Sequence, residues 1–476
     1  MSYYANLDYN YRNKYYLQGS VAAETSSRFG RDTEDGIKLA GVCWGLFPSL
    51  QAGWLASSEP FFNVDFVDYL KLTAGVDWSG NDNINNSAAF CYFSNIQYSD
   101  KLMGLQMGNL ENQSIQWETT RRLNAGVDLH MLNNRLRLTG NFFHNVTNDM
   151  LTLQKLDPWA GLEYAWCNGG SMNNTGAYAS ANLRVLNSKN WKWEVGASVG
   201  TYKNVVTKLP NQTIVNKNWT EKDGELRGYT TKMYDATILT AEGQSAGVFF
   251  GYETRGVFAT TADACDENGD WRLYTEDAYT GVKTPFVAGD VEFVDQNKDG
   301  IINDDDRVII GNPNPDLYGN INTCLTYKNF SLNAIFNYSL GNDVYNYQRS
   351  LLESGSNFYN QTVAMTNRWQ MEGDETSIPR VAYGDPKGNN RFSDRWIEDG
   401  SYLRLKDVTL SYKVPVSAAW LQGLTVWCAG SNLLTFTKYL GSDPEFSFSN
   451  NVLYQGIDNG LLGQSRSFHL GVKINL

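Results

Sequence analysis

Asp295, Asn297 and Asp299 alternate along the chain, Gly300 follows, and Asp306 comes eleven positions after Asp295. Oxygen-bearing side chains at the first, third and fifth positions, glycine at the sixth and a carboxylate at the twelfth form the donor pattern of a calcium loop. Ca²⁺ is a hard cation that takes roughly six to eight oxygens, and the glycine permits the sharp turn that brings early and late donors together. The backbone carbonyl of Ile301 would add a donor, and Asn303 would bind directly or through a water. The expected structural ion is therefore Ca²⁺, with Asp295, Asn297, Asp299, Ile301, Asn303 and Asp306 as candidate ligands. A helical EF-hand needs an amphipathic helix on each side. Here Pro313, Pro315 and alternating segments follow instead, which puts the loop in β-structure. The same residue types also make an acidic, solvated turn.

The other constellations lead away from catalysis. Gly243-Gln-Ser245-Ala-Gly247 has the spacing of a nucleophile elbow, but an elbow needs a strand before it, a helix after it, and a later acid and histidine. The next residues, Val248-Phe-Phe-Gly-Tyr252, read as a strand, and the only downstream histidine is His469. A glycine-rich turn is the better reading, and no enzyme is expected. Asp266, Asn268 and Asp270 resemble a second oxygen cluster, but Gly269 falls at the wrong position and no distal carboxylate is in register. The loop tryptophans Trp159, Trp166 and Trp271 could stack on sugar rings. Interfacial girdles or loop packing more often account for such residues, so no substrate contact is assigned.

The elements that must position the loop read as strands. The chain holds 28 Tyr and 14 Trp but only 11 Pro, and charged residues make up 19%, a balance that suits strands and polar turns. A net charge of −12 argues against nucleic acid. The six cysteines are scattered without a C-x-x-C pair, so neither a zinc site nor a disulfide framework can be read from them. No apolar run reaches the length of a membrane helix, which says nothing against a barrel whose strands alternate faces.

Period-2 alternation recurs from end to end. Leu70, Leu72, Ala74, Val76 and Trp78 oppose Lys71, Thr73, Gly75 and Asp77; Phe468, Leu470, Val472 and Ile474 oppose Ser467, His469, Gly471 and Lys473. Such runs give about fifteen strands, near 2–11, 15–24, 46–56, 69–78, 116–130, 135–146, 175–186, 191–206, 231–240, 247–258, 315–328, 330–341, 401–413, 423–436 and 465–476. Short connections alternate with long ones, the pattern of an outer-membrane barrel with tight periplasmic turns and long extracellular loops. Strand 231–240 is needed to keep that parity, which places a long loop 259–314 and its calcium motif outside the cell. A soluble propeller or sandwich array would instead show a repeat of fixed length. The phase slip at Asp407 reads as a bulge.

Several stretches carry a family resemblance. The loop from Asp295, Ile310-Gly-Asn-Pro-Asn-Pro-Asp316, Tyr327-Lys-Asn-Phe-Ser331 and Gly341-Asn-Asp-Val-Tyr-Asn346 resemble the C-terminal barrel region of SusC/RagA-like TonB-dependent outer-membrane transporters. So do Arg28-Phe-Gly30, Trp117-Glu-Thr-Thr120, Tyr402 to Leu410, and Ser431 to Tyr439 with Asp443-Pro-Glu445. The resemblance covers the chain in order. It implies an all-β, antiparallel transmembrane β-barrel, with residues 1–476 supplying about fifteen C-terminal strands of an expected 22. A plug domain, a TonB-interacting segment and a signal peptide are expected from the family and are not found in this chain. Leu476 stands where such proteins usually end in an aromatic.

The resemblance further implies import of large nutrients, glycans or oligosaccharides first and peptides second. A SusD-like surface lipoprotein would act as lid, the TonB complex would supply energy, and the setting would be the outer membrane of a Bacteroidota-like Gram-negative cell. The alternatives from the residues are a secreted, calcium-dependent carbohydrate-binding β-protein and an inactive truncated gene product.

Overall fold

A computed structural model describes residues 1–476 except 40, 100–101, 158, 160, 163, 211–212, 220–223, 278, 417–419, 447–448, 450 and 476. The main sheet has 14 strands, one of which, Ile37–Leu39, pairs off the path. The remaining thirteen follow one another in chain order. They are β1 (Ser2–Tyr11), β2 (Tyr15–Glu24), β3 (Val42–Leu55), β4 (Val67–Asn81), β5 (Glu118–Met131), β6 (Leu136–Asn148) and β7 (Ser171–Asn187). β8 (Trp191–Lys208), β9 (Leu317–Tyr327), β10 (Phe330–Leu340), β11 (Tyr402–Val414), β12 (Gly423–Thr437) and β13 (Ser467–Asn475) complete the path.

Register explains the alternation. Leu17, Ala52, Ala74, Ala125, Phe142 and Ala177 lie opposite one another across six successive antiparallel strands. One residue along, Gln18, Gln51, Gly75 and Asn124 form a polar row. Because side chains alternate faces, a slip of one residue would exchange the two rows. The apolar row faces outward: Leu17, Leu50 and Phe142 are exposed, and in the last strand Leu470 is 86% exposed. Water would penalise so continuous an exposed apolar stripe, whereas hydrocarbon would not.

The short turns share one rim, and hydrogen bonds run from turn to turn along it. Leu55 N–H donates to the Lys14 carbonyl (2.7 Å), Leu132 to Phe66 (3.0 Å), Arg184 to Arg135 (2.7 Å), Lys328 to Asn190 (2.8 Å) and Lys413 to Asn329 (2.8 Å). Tight reversal needs left-handed backbone, and Arg12, Asn13, Asn133, Asn134 and Lys328 all have φ between 52 and 58°. Connections at the other strand ends are long.

Two expected strands are not in this sheet. Segment 231–240 spans the turn of a hairpin and 247–258 is split: a separate five-stranded sheet is made of Thr213–Trp219, Gly224–Met233, Ala236–Ala241, Val248–Gly251 and Val308–Gly311, while Thr254–Val257 pairs with Val291–Phe293. β8 is followed on the path by β9, so residues 209–316 form one excursion. Losing an even number of strands leaves the parity unchanged. Within these segments Ala236 to Leu239 and Val248 to Phe250 are buried on both faces, unlike the half-exposed sheet strands.

The chain divides into two compact units. One comprises Met1–Asn211, Gly319–Asn333 and Ser411–Ala419, and the other Gln212–Tyr318, Ala334–Leu410 and Trp420–Leu476. In the first unit the long connections pack their own core from Phe29, Cys43, Ile84, Ala89, Ile115 and Trp117. The motif residues Phe29 and Trp117 pack there in a tilted pair, ring centres 4.9 Å apart, and a Cβ on Gly30 would strike the Gln113 backbone. Among its described residues the second unit has three cores. One of them, from Tyr252, Phe258, Leu273, Phe286, Val291, Phe293 and Ile302, underlies the candidate calcium loop.

Candidate functional site

The loop from Asp295 to Asp306 is anchored on both sides of its turn. Tyr274 N–H donates to the Gly300 carbonyl and Ile302 N–H to the Tyr274 carbonyl, each at 2.8 Å. Lys298 and Gly300 adopt positive φ of 63 and 77°, the glycine for the reason its position predicts. Asp295 accepts from the amides of Lys298 and Gly300, both at 2.7 Å. Asn297 accepts from Asp299 N–H (3.0 Å), and Asp299 from Ile301 N–H (2.8 Å). Asn303 and Asp306 form a capping box on the short helical turn Asp304–Asp306.

Asp306 closes the loop. It is fully buried, and its two oxygens accept from Gln296 N–H (3.0 Å) and Asn303 N–H (2.8 Å). Burial first, and then the carboxylates of Asp295 and Asp299, push its pKa up to about 6 against the two amide bonds that lower it. A cation beside these three acids would relieve that cost, so their charge suits a divalent ion. Their donor geometry is that of a loop closed on its own amides. Among the described residues, no three acidic, histidine or cysteine side chains converge as a metal cluster.

Neighbouring motifs fasten the loop base. Asn312 N–H donates to Asp343 Oδ2 (2.8 Å) and Asp343 N–H returns to the Asn312 carbonyl (2.8 Å). Gly341, at φ 82°, sits where a Cβ would meet the Asp316 carboxylate. Asp290 is fully buried and accepts from Arg380 Nε (2.8 Å) and Nη2 (3.1 Å), Asn389 Nδ2 (3.0 Å) and Val287 N–H (3.0 Å). Beside the loop, Ile302 to Asp305 form one wall of an open cavity of about 660 Å³.

The remaining candidates resolve into structure. Gly243 and Gly247 have φ of 81 and 80° in a turn between two strands, with no helix following. Asp266 accepts from the amides of Asn268 and Asp270, both at 2.9 Å, as a simple turn would. Trp166 and Trp271 pack against cores, whereas Trp159 is exposed. All six cysteines are free. A buried network escapes sequence reasoning: Arg404 pairs with Asp443 and with Glu445 (3.3 Å), and Lys406 with Glu445 (3.3 Å). Its one signal is the i, i+2 spacing of Arg404 and Lys406, which puts two cations on one strand face.

An antiparallel all-β chain with one polar and one lipid-compatible face, tight turns on one rim and large loops opposite is built as an outer-membrane β-barrel protein would be. No protein-family profile matches the chain. TonB-dependent receptor P3 of Formosa agariphila is 28% identical over 486 residues, covering 100% of this chain and 45% of that protein. TonB-dependent receptor SusC of Bacteroides thetaiotaomicron is 26% identical over 489 residues, covering 100% and 43%. The RagAB peptide importer in its open-open state superposes with a TM-score of 0.77 at 22% identity, covering 100% of this chain and 46% of that one. The chain thus spans less than half the length of these relatives. It is homologous, over nearly its whole length, to the TonB-dependent outer-membrane transporters of the SusC and RagA type. That homology places it in the outer membrane of a Bacteroidota-like Gram-negative cell.

Proposed function

We propose that this chain is the C-terminal barrel portion of a TonB-dependent importer of large nutrients. The observation that carries the reading is the thirteen-strand path with short turns on one rim and an outward apolar face. With barrels of 22 strands known as plugged transporters, nine further strands would come from the remainder of the protein, since 22 less 13 is nine. The large connections would then be extracellular, and the chemistry is binding and passage, with no covalent step. Glycans or oligosaccharides are the substrate reading. Peptides are the second reading, favoured by the likeness to a chain from a peptide importer. A SusD-like lipoprotein would cover the extracellular loops, and the TonB complex would act through the part of the protein upstream of this chain.

Ca²⁺ belongs to this proposal as a structural ion held by Asp295, Asn297, Asp299, Ile301, Asn303 and Asp306. Bound there, it would neutralise three neighbouring carboxylates and fix the loop in one shape. The test is growth of the native organism on single glycans or peptides after in-frame deletion of the coding region. Loss of growth on one polymer, restored by the intact gene, supports import. Unchanged growth on every polymer and peptide mixture tried, with the protein shown to be expressed in the parent, refutes it.

A further inference from the structure

The cavity beside the calcium-type loop has a charge arrangement that loop architecture alone does not require. Its floor is desolvated: Phe250, Tyr252 and Ile302 are buried, and the guanidinium groups of Arg307 and Arg391 lie over the Tyr252 ring, each 5.4 Å from its centre. Its rim is wet: Lys232, Asp235, Glu276 and Asp304 are exposed. Arg307 is neutralised by Asp304 at 2.7 Å, while its Nε is buried without a hydrogen-bond partner.

Arg391 makes no direct ion pair of that kind. It donates to the Thr275 hydroxyl (2.6 Å) and at 3.4 Å to the Ile302 carbonyl. It also sits over Phe286 and Phe293, at 5.8 and 5.4 Å. No carboxylate among the described residues pairs with it directly; Asp385 and Asp304 favour its charge from further off, and Arg307 opposes it. Burial pulls its pKa below the usual arginine value, yet a guanidinium remains protonated at physiological pH. Rim carboxylates are screened by water and salt, whereas a charge on an apolar floor is not. A cation on that floor therefore draws an anion more strongly, charge for charge, than an acid at the mouth repels it.

We propose that this cavity binds the carboxylate group of a small ligand, with Arg391 as its partner on the floor and the rim acids taking hydroxyl or amide donors from the rest of the molecule. Two sources share that chemistry, an acidic sugar and the free C-terminus of a peptide. The Tyr252 ring already carries two guanidinium groups, so recognition runs through charge and hydrogen bonds and not through ring stacking. The inference concerns binding alone, so its failure leaves the import reading untouched.

The full chain, folded in detergent with calcium present, is titrated calorimetrically with sodium glucuronate against glucose. In parallel it is titrated with N-acetyl-dialanine against its C-terminal amide. At least one acid should bind about tenfold more tightly than its neutral counterpart, the advantage shrinking with salt. Preference for the uronate alone identifies a sugar site, and for the peptide acid alone a peptide site. Arg391→Met should abolish the preference, and Lys232→Ala, at the rim, should keep most of it. Should Arg391→Met not fold, hydrogen exchange on the unaltered chain decides. The preferred acid should protect segments 249–252 and 302–308. Equal binding of acid and neutral forms, a preference that survives in folded Arg391→Met, or protection confined to other segments overturns the proposal.

Discussion

Asp306 concentrates the tension of the candidate metal loop at one side chain. Its pKa in the folded loop, about 6, lies above the ordinary 3.8, so between those values the folded state binds more protons than the unfolded one. Loop stability in the absence of metal is therefore full below the lower value and falls as pH rises through the upper one. Limited proteolysis in chelator should show segment 295–306 more resistant at pH 5 than at pH 7.5. Calcium should restore resistance at pH 7.5, where the carboxylates are ionised, and do little at pH 5. Asp299→Asn should blunt the calcium response. Equal cleavage under all four conditions would count against both the metal and the charge argument. Asp290 poses the opposite case, a fully buried carboxylate satisfied by a forked arginine. Asp290→Ala would leave Arg380 and Asn389 without their acceptor and cost roughly 2–4 kcal/mol locally, read as faster hydrogen exchange in 286–293 with the barrel strands unchanged.

At the scale of elements, legibility in the sequence depends on how each strand is buried. β4 and β13 are legible because half of each faces outward, so apolar and polar residues must alternate. The expected strands 231–240 and 247–258 overlap Ala236–Ala241 and Val248–Gly251, but neither lies in the sheet expected. A turn at Tyr234-Asp235 breaks the first, and Thr254–Val257 leaves the second for another sheet. Buried on both sides, Ala236 to Leu239 and Val248 to Phe250 carry no face signal, and period-2 reasoning cannot say which sheet owns them. The turn of the 295–306 loop, with positive φ at Gly300, is legible through spacing. The cavity floor is not, because Tyr252, Arg307 and Arg391 come from three distant segments joined only by packing. β11 carries a related prediction. Arg404 is 2% exposed between Asp443 and Glu445, so Arg404→Met strands the buried Asp443 carboxylate at a cost of about 3–5 kcal/mol. Arg404→Met with Asp443→Leu should recover much of that loss. Thermal unfolding of the three proteins in detergent would check the order; a double variant no better than the single would contradict it.

For the molecule as a whole, the sheet path starts at β1 and finishes at β13, and open edges are not tolerated in lipid. Strands contributed by the rest of the protein should complete the closure. The native protein should then migrate as a heat-modifiable band on a detergent gel, at roughly twice the mass of this chain. A band at 53.5 kDa that ignores heating would favour a soluble β-protein instead.

The excursion between β8 and β9 has a bearing on how the chain reaches its fold. Joining two neighbouring strands across roughly a hundred unstructured residues costs about 4 kcal/mol of loop entropy, and contacts so remote in sequence form slowly. Asn216, on the first strand of the excursion, is buried and donates to the carbonyls of Asp305 (3.0 Å) and Arg307 (2.8 Å) near its last. Once that sheet forms, the two barrel strands hang from a single compact body and the long search becomes a short one. The excursion acts as a clasp that must snap shut before β9 can zip onto β8, so pulse-labelled folding should show Thr213–Gly311 protected before Leu317–Tyr327.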